Sequence, residues 1–258
     1  MVLAAALVVP VLTACQPDTV RLTFQPTAGT TYGYVVDVTA ETVTTLEGEK
    51  SRHQRQTVRL VEEQTVLDAD RTGVRVRVFV GEPGSTGQSF VVRFDQNAQL
   101  RSIDAAEDAT PDIAGAVGVA EIFPGAAGTP DRRVGPGVRW STSRSVSLPG
   151  LTGDAGAARI RTRGRFVDFS VDGDRRLARV VSTTELPLRS ETASLTIEGS
   201  ETIRQAVTYD VTDGSVAEAR ATTTGRFHIV VRPPAGTDAD PVPGTLVLTV
   251  RSVTRRQR

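Results

Sequence analysis

From Tyr32 onward the chain alternates apolar and polar residues with a period of two over most of its length. That is the repeat of a β-strand, whose successive side chains point to opposite faces. Tyr32, Tyr34, Val36 and Val38 share one face of a first strand, and 57–66 carries a second. The clearest alternation is Val74-Arg75-Val76-Arg77-Val78-Phe79-Val80, with valines on one side and both arginines on the other. Segments 89–94 and 99–103 read as a hairpin closed around Asp95-Gln96-Asn97. Further strands are expected over 138–148, 158–170, 176–186, 193–198, 202–209, 215–231 and 245–253. Asp-Gly pairs in Val171-Asp172-Gly173-Asp174 and Val211-Thr212-Asp213-Gly214 mark two tight hairpins, because these residues accept the positive φ that such turns need. One wet and one apolar face per strand is the habit of antiparallel sheets packed on one side.

One stretch breaks the rhythm. Residues 105–124 are rich in alanine, and Glu107, Asp108 and Asp112 fall in the first half, where negative charge favours a helix N-terminus. Ile113, Val117 and Ala120 recur three to four apart, Pro111 suits a first turn, and Phe123-Pro124-Gly125 ends the segment. A Gly/Pro-rich connection follows over 125–137. The expected fold is therefore mainly β: a strongly curved antiparallel sheet or open barrel built from two similar β-rich halves, 31–104 and 138–258. A single Ala-rich helix would lie between the halves and pack on the inner face of the sheet.

The chain's start carries a different signal. Val2 to Ala14 holds no charge and is almost wholly apolar, then Gln16, Pro17 and Asp18 turn polar at once. A helix crossing a bilayer needs about 20 such residues, so this shorter run fits the apolar segment of an export signal. No basic residue precedes it, so either the true start lies upstream of Met1, which is the favoured expectation, or the signal is unusually short. Leu12-Thr13-Ala14-Cys15 resembles the lipobox of bacterial lipoproteins. The resemblance implies that Leu12, Thr13 and Ala14 are recognised by the signal peptidase and that 1–14 are removed. Cys15 would then carry the lipid and head a tether over 15–30. The protein would sit on the extracytoplasmic face of the cell membrane, held stably if two or more acyl chains are attached. Cys15 is the only cysteine, so no disulfide forms within the chain and stability must come from the core.

Charge narrows the partners. Thirty basic and thirty acidic residues cancel, with a pI of about 6.8, which gives no reason to expect nucleic acid. With only His53, His228 and the lipid-committed Cys15, no metal or other cofactor is expected. There is no nucleophile elbow, zincin helix or glycine-rich phosphate loop. Glu62 and Glu63 are adjacent on a strand and point to opposite faces, unsuited to joint acid–base work. A non-enzymatic role is the expectation. Arg159, Arg161, Arg163 and Arg165 occupy one face of one strand, read as an ordinary wet face. Trp140, the one tryptophan, is expected as a core anchor or a ligand contact.

Trp140 preceded by Val134-Gly135-Pro136-Gly137, after Phe123-Pro124, resembles the junction between two β-rich halves in a family of uncharacterised bacterial lipoproteins. Tyr209-Asp210-Val211-Thr212-Asp213-Gly214 is similar to a recurring hairpin of that family, and the likeness spans about residues 20 to 255. The Arg, Val, Thr and Asp bias is similar to that of high-GC actinobacterial proteins. More loosely, the layout is similar to lipoprotein-carrier folds, whose curved sheet holds acyl chains in its concavity. The resemblances imply a membrane-anchored binding or envelope-maintenance protein whose partner is an envelope protein or an apolar ligand. The alternative they supply is a carrier of a lipid in a concave β-sheet cavity.

Overall fold

The computed structural model describes residues 19–95, 100–104, 129–130, 132–146, 158–233 and 239–257. Leu12, Thr13, Ala14, Cys15 and the stretch 105–124 lie outside the described residues. Eleven strands form: β1 (Thr31–Leu46), β2 (Arg52–Ala69), β3 (Val74–Gly81), β4 (Gln88–Phe94), β5 (Leu100–Asp104), β6 (Arg139–Val146), β7 (Ala158–Asp172), β8 (Arg175–Glu191), β9 (Leu195–Asp210), β10 (Val216–Val231) and β11 (Val242–Arg256). All belong to one antiparallel sheet in the order β5-β4-β3-β2-β1-β11-β10-β9-β8-β7-β6. Short turns join most neighbours, and Gly173 and Gly214 take the positive φ expected at the two Asp-Gly hairpins (60° and 73°).

The expectation of two similar β-rich halves with an Ala-rich helix between them is overturned. The first strand pairs with the last from Tyr34↔Arg256 to Leu46↔Gly244, so one hydrogen-bonded ladder runs through both halves. No helix occurs among the described residues. Nor is a helical layer needed to cover the inner face, because the sheet covers itself. It coils until Ile160 of β7 and Leu186 of β8 join Tyr32, Val36, Val76, Val78 and Val92 of the opposite wall in one buried cluster. The edge strands β5 and β6 come into contact without hydrogen bonding, so the sheet is open and not a closed barrel.

Alternation decides the two faces. Valines 74, 76, 78 and 80 are at most 4% exposed, while Arg77 between them is exposed. Bulges between Val66 and Asp68 in β2 and between Phe166 and Asp168 in β7 reset this parity locally and add twist. A second cluster gathers Leu22, Val134, Trp140, Phe166, Val180, Val207 and Tyr209. The tether expected over 15–30 is thus pinned to the core where it is described. Val20 exchanges backbone bonds with Val134, Leu22 and Phe24 are buried, and the Phe24 ring meets Phe94 edge-on at 5.8 Å. The described part of the 125–137 connection takes part too, since the Thr129 hydroxyl donates to the Leu22 carbonyl at 2.6 Å.

Candidate functional site on the inner face

Reading the inner face along the strands gives three bands. One end is aliphatic and aromatic, built from the second cluster and most of the first, which also reaches Leu186 past the middle of the face. Across the middle runs a belt of small hydroxyl and amide side chains: Thr162 on β7, Thr184 on β8, Gln205 on β9, Thr223 on β10 and Ser252 on β11, all buried. Thr162 and Thr184 face each other in register and bond hydroxyl to hydroxyl at 3.0 Å. The third band is apolar again. β3 ends at Gly81 opposite Val61, and the β7–β8 ladder ends at Arg161↔Glu185. Beyond those points β2, β1, β11, β10, β9 and β8 continue as a six-stranded apron. Its inner face carries buried Leu186, Phe227 and Ile229 with half-buried Leu46, Leu188, Ile197, Leu246 and Leu248.

Aromatic rings make this curvature tolerable. Gly199 and Gly225 lie on either side of the Phe227 ring, where an added Cβ would come within 2.7 and 2.5 Å of ring atoms. Trp140 covers Gly164 in the same way: a Cβ there would stand 2.4 Å from the indole, directly across the β6–β7 ladder. An aromatic laid over a cross-strand glycine restores the contact that the missing side chain forfeits and allows a tight bend. Trp140 is 9% exposed and packs in the second cluster. It anchors the edge strand to the core.

Near the aliphatic end a carboxyl group is buried on the inner face. Glu62 is 1% exposed, on the same face as Leu60 and Val66, opposite Tyr34 of β1 and Val80 of β3. Burial pushes its carboxyl up to about 8, and the hydrogen bond from the Gln64 amide only partly offsets that. Glu62 is therefore protonated at neutral pH. Burial also raises the Tyr34 and Tyr32 hydroxyls well above the ordinary tyrosine value. The Tyr32 hydroxyl donates to Asp213 at 2.8 Å, and the Arg256 guanidinium lies 4.6 Å over its ring. At the same end the Asp210 carboxylate, despite its burial, is held below the ordinary range by Arg175 at 2.7 Å and the Thr212 amide.

No family model matches this chain, and no curated protein does. Among solved structures it aligns with a Salmonella typhi OmpF complex with daunomycin at 10% identity and a TM-score of 0.23, over 87% of this chain and 98% of that one. It also aligns with Ail, the attachment invasion locus protein of Yersinia pestis, at 8% identity and a TM-score of 0.14, over 88% and 99%. Likeness that slight carries no argument about this chain. Its own sidedness does. A membrane-spanning barrel turns an apolar band about 25 Å tall outward. Here the outward positions of β1, β2 and β11 hold Asp37, Glu41, Arg55, Arg59, Arg251 and Arg255, in ion pairs such as Asp37–Arg59 at 2.7 Å. The described sheet buries its apolar face inward and wets the other.

Of the residues singled out from sequence, Trp140 falls on the inner face, while Cys15, Leu12, Thr13 and Ala14 lie outside the described residues. His53 and His228 are both exposed. Among the described residues no group of three or more His, Cys, Asp or Glu is placed to hold a metal ion. Glu63 is exposed and Glu62 buried, on opposite faces. The hydroxyl belt and the burial of Glu62 went unread in the sequence, although the parity of Leu60, Glu62, Gln64 and Val66 carries the signal.

Proposed function

We propose that this chain is a non-enzymatic, lipid-anchored extracytoplasmic binding protein whose inner sheet face takes an amphipathic ligand such as a lipid. The carrying observation is the banding of that face, a buried hydroxyl and amide belt beside an apolar apron that runs past the ends of β3 and β7. Ligand sites of this kind are concave and mostly apolar, with a few placed polar groups that fix orientation. Acyl chains would lie along Leu186, Ile197, Phe227, Leu246 and Leu248, with the ligand's polar part toward Thr162, Thr184 and Thr223. Attachment through Cys15 and membership of a family of uncharacterised bacterial lipoproteins belong to the same proposal.

Native mass spectrometry of a soluble form beginning at Gln16, purified without detergent, tests the ligand. The expected result is a reproducible added mass that disappears on denaturation and is identified as a lipid. A bare protein mass, together with failure to take up an added fluorescent fatty acid, would overturn the carrier reading and leave an envelope protein as the partner to seek by crosslinking.

A further inference from the structure

On β1, β2 and β11 and at the far end of β7 the outer face pairs its charges. Asp37 meets Arg59 and Arg255, Glu41 meets Arg55 and Arg251, and Asp168 meets Arg179. The strip formed by β6 and the first half of β7 does not. Arg159, Arg161, Arg163 and Arg165 fill every outward position of β7 from 159 to 165, all exposed. Arg139 of the edge strand β6 stands directly opposite Arg165. Arg204 of β9 lies two strands from Arg163, with Thr183 of β8 between them. Among the described residues no carboxylate forms an ion pair with Arg139, Arg161, Arg163, Arg165 or Arg204. Glu185 of β8, opposite Arg161 in register, pairs with none of them. Like charges directly opposite each other destabilise a sheet, and nothing in the described chain offsets these.

The arginines also have a shape. Outward residues of a strand recur about every 6.6–6.8 Å, so the four on β7 make a single file about 20 Å long and one strand wide. Beside its Arg163 and Arg165 end runs a groove of about 520 Å³ lined also by Arg139, Ser141, Val181 and Thr183, among others. We propose that this file binds a linear polyanion whose charges are phosphodiesters, laid along β7. Guanidinium forks match phosphate oxygens two at a time, and the Ser141 and Thr183 hydroxyls donate to the same oxygens. A chain fits better than a lipid surface, because the densest set of unpaired arginines, Arg159 to Arg165, follows one strand in single file and does not spread evenly over the face. The site is on the opposite side of the sheet from the inner face and does not depend on what that face holds.

The test is binding of the full chain, in neutral detergent, to poly(glycerol phosphate) over a range of salt concentrations. Wild type is expected to bind with an affinity that falls steeply as salt rises. Replacing Arg163→Gln with Arg165→Gln should weaken binding at least about tenfold at low salt and flatten the log–log salt slope by about 1.4, at about 0.7 per phosphate contact on a flexible single chain. Arg139→Gln with Arg161→Gln is a second pair that should act alike, should the first fail to fold. Arg251→Gln with Arg255→Gln, which removes ion-paired arginines from the same face, should leave affinity unchanged. Absence of salt-dependent binding by wild type would overturn the proposal, as would equal losses from the paired and unpaired arginines. Phosphatidylglycerol vesicles that displaced the polymer at equal phosphate would overturn it in favour of a lipid surface.

Discussion

At the scale of single residues, Glu62 makes the sharpest commitment. In an unfolded chain its carboxyl ionises near the ordinary 4.5, while in the fold it keeps its proton up to about 8. Between those values the unfolded state sheds a proton that the native state retains, so stability falls as pH rises through that window and levels off beyond it. Glu62→Gln keeps the shape and the Gln64 neighbour but removes the titration. The variant should therefore be more stable than wild type at about pH 8, by on the order of a few kcal/mol, and nearly equal to it at about pH 5. Denaturant unfolding across that range decides it: parallel profiles for the two proteins would mean that the Glu62 carboxyl is not held neutral. The acid side has the opposite sign. Asp37, Asp210 and Glu191 are held below their ordinary values, by Arg59, by Arg175 with Thr212, and by Arg232 respectively. The stability they contribute is present above those ordinary values and lost as pH falls through the lowered ones. Glu62 was legible in the sequence as a position, since it shares the parity of Leu60 and Val66. Its protonation was not, because that depends on how fully the coiled sheet buries the face it shares with Tyr34 and Val80.

At the scale of elements, the edge strand β6 depends on one pairing. Trp140 covers Gly164 so closely that even a methyl group on Gly164 would meet the indole. Gly164→Ala should cost about 1–3 kcal/mol as an overpacking change, and Trp140→Ala about 3–5 kcal/mol. Each acts through the same contact, so the double variant should be less destabilised than the sum of the singles. Urea unfolding of the four proteins closes the cycle, and strict additivity would show that the ring and the glycine are not coupled. The strands themselves were largely readable. β3 was placed within a residue at its C-terminal end, and the Asp-Gly turns fell where the parity required them. Two misreadings have physical causes. The first residues of β2, Arg52-His53-Gln54-Arg55-Gln56, are polar on both faces, and the ladder with β1 makes them a strand without burial. The break read between 198 and 202 fails because β9 runs on through Gly199, which Phe227 of the neighbouring strand covers.

At the scale of the whole molecule, the join of β1 to β11 had no local signal. Two halves of alternating strands read the same whether they form separate sheets or one, and only long-range pairing separates the cases. That single sheet constrains how the protein can be held at a membrane. Its outward positions on β1, β2 and β11 are charged and ion-paired, and its apolar positions are turned inward. Setting the described sheet across a bilayer would place Arg59, Arg251 and Arg255 against hydrocarbon, at about 2–4 kcal/mol for each at the midplane. On the proposed function, attachment would come from elsewhere in the chain, and Cys15 with its resemblance to a lipobox is the group suited to it. Cys15→Ser, expressed in a bacterial host that lipidates such proteins, should move the protein from the membrane pellet to the soluble fraction while its thermal unfolding stays the same. Metabolic labelling with a radiolabelled fatty acid should mark wild type and not the variant. A Cys15→Ser protein that stayed in the pellet through an alkaline carbonate wash, unlabelled and folded, would sink the anchor. Some other part of the chain would then have to enter the bilayer, and the charged outer face described here shows that it would not be this sheet.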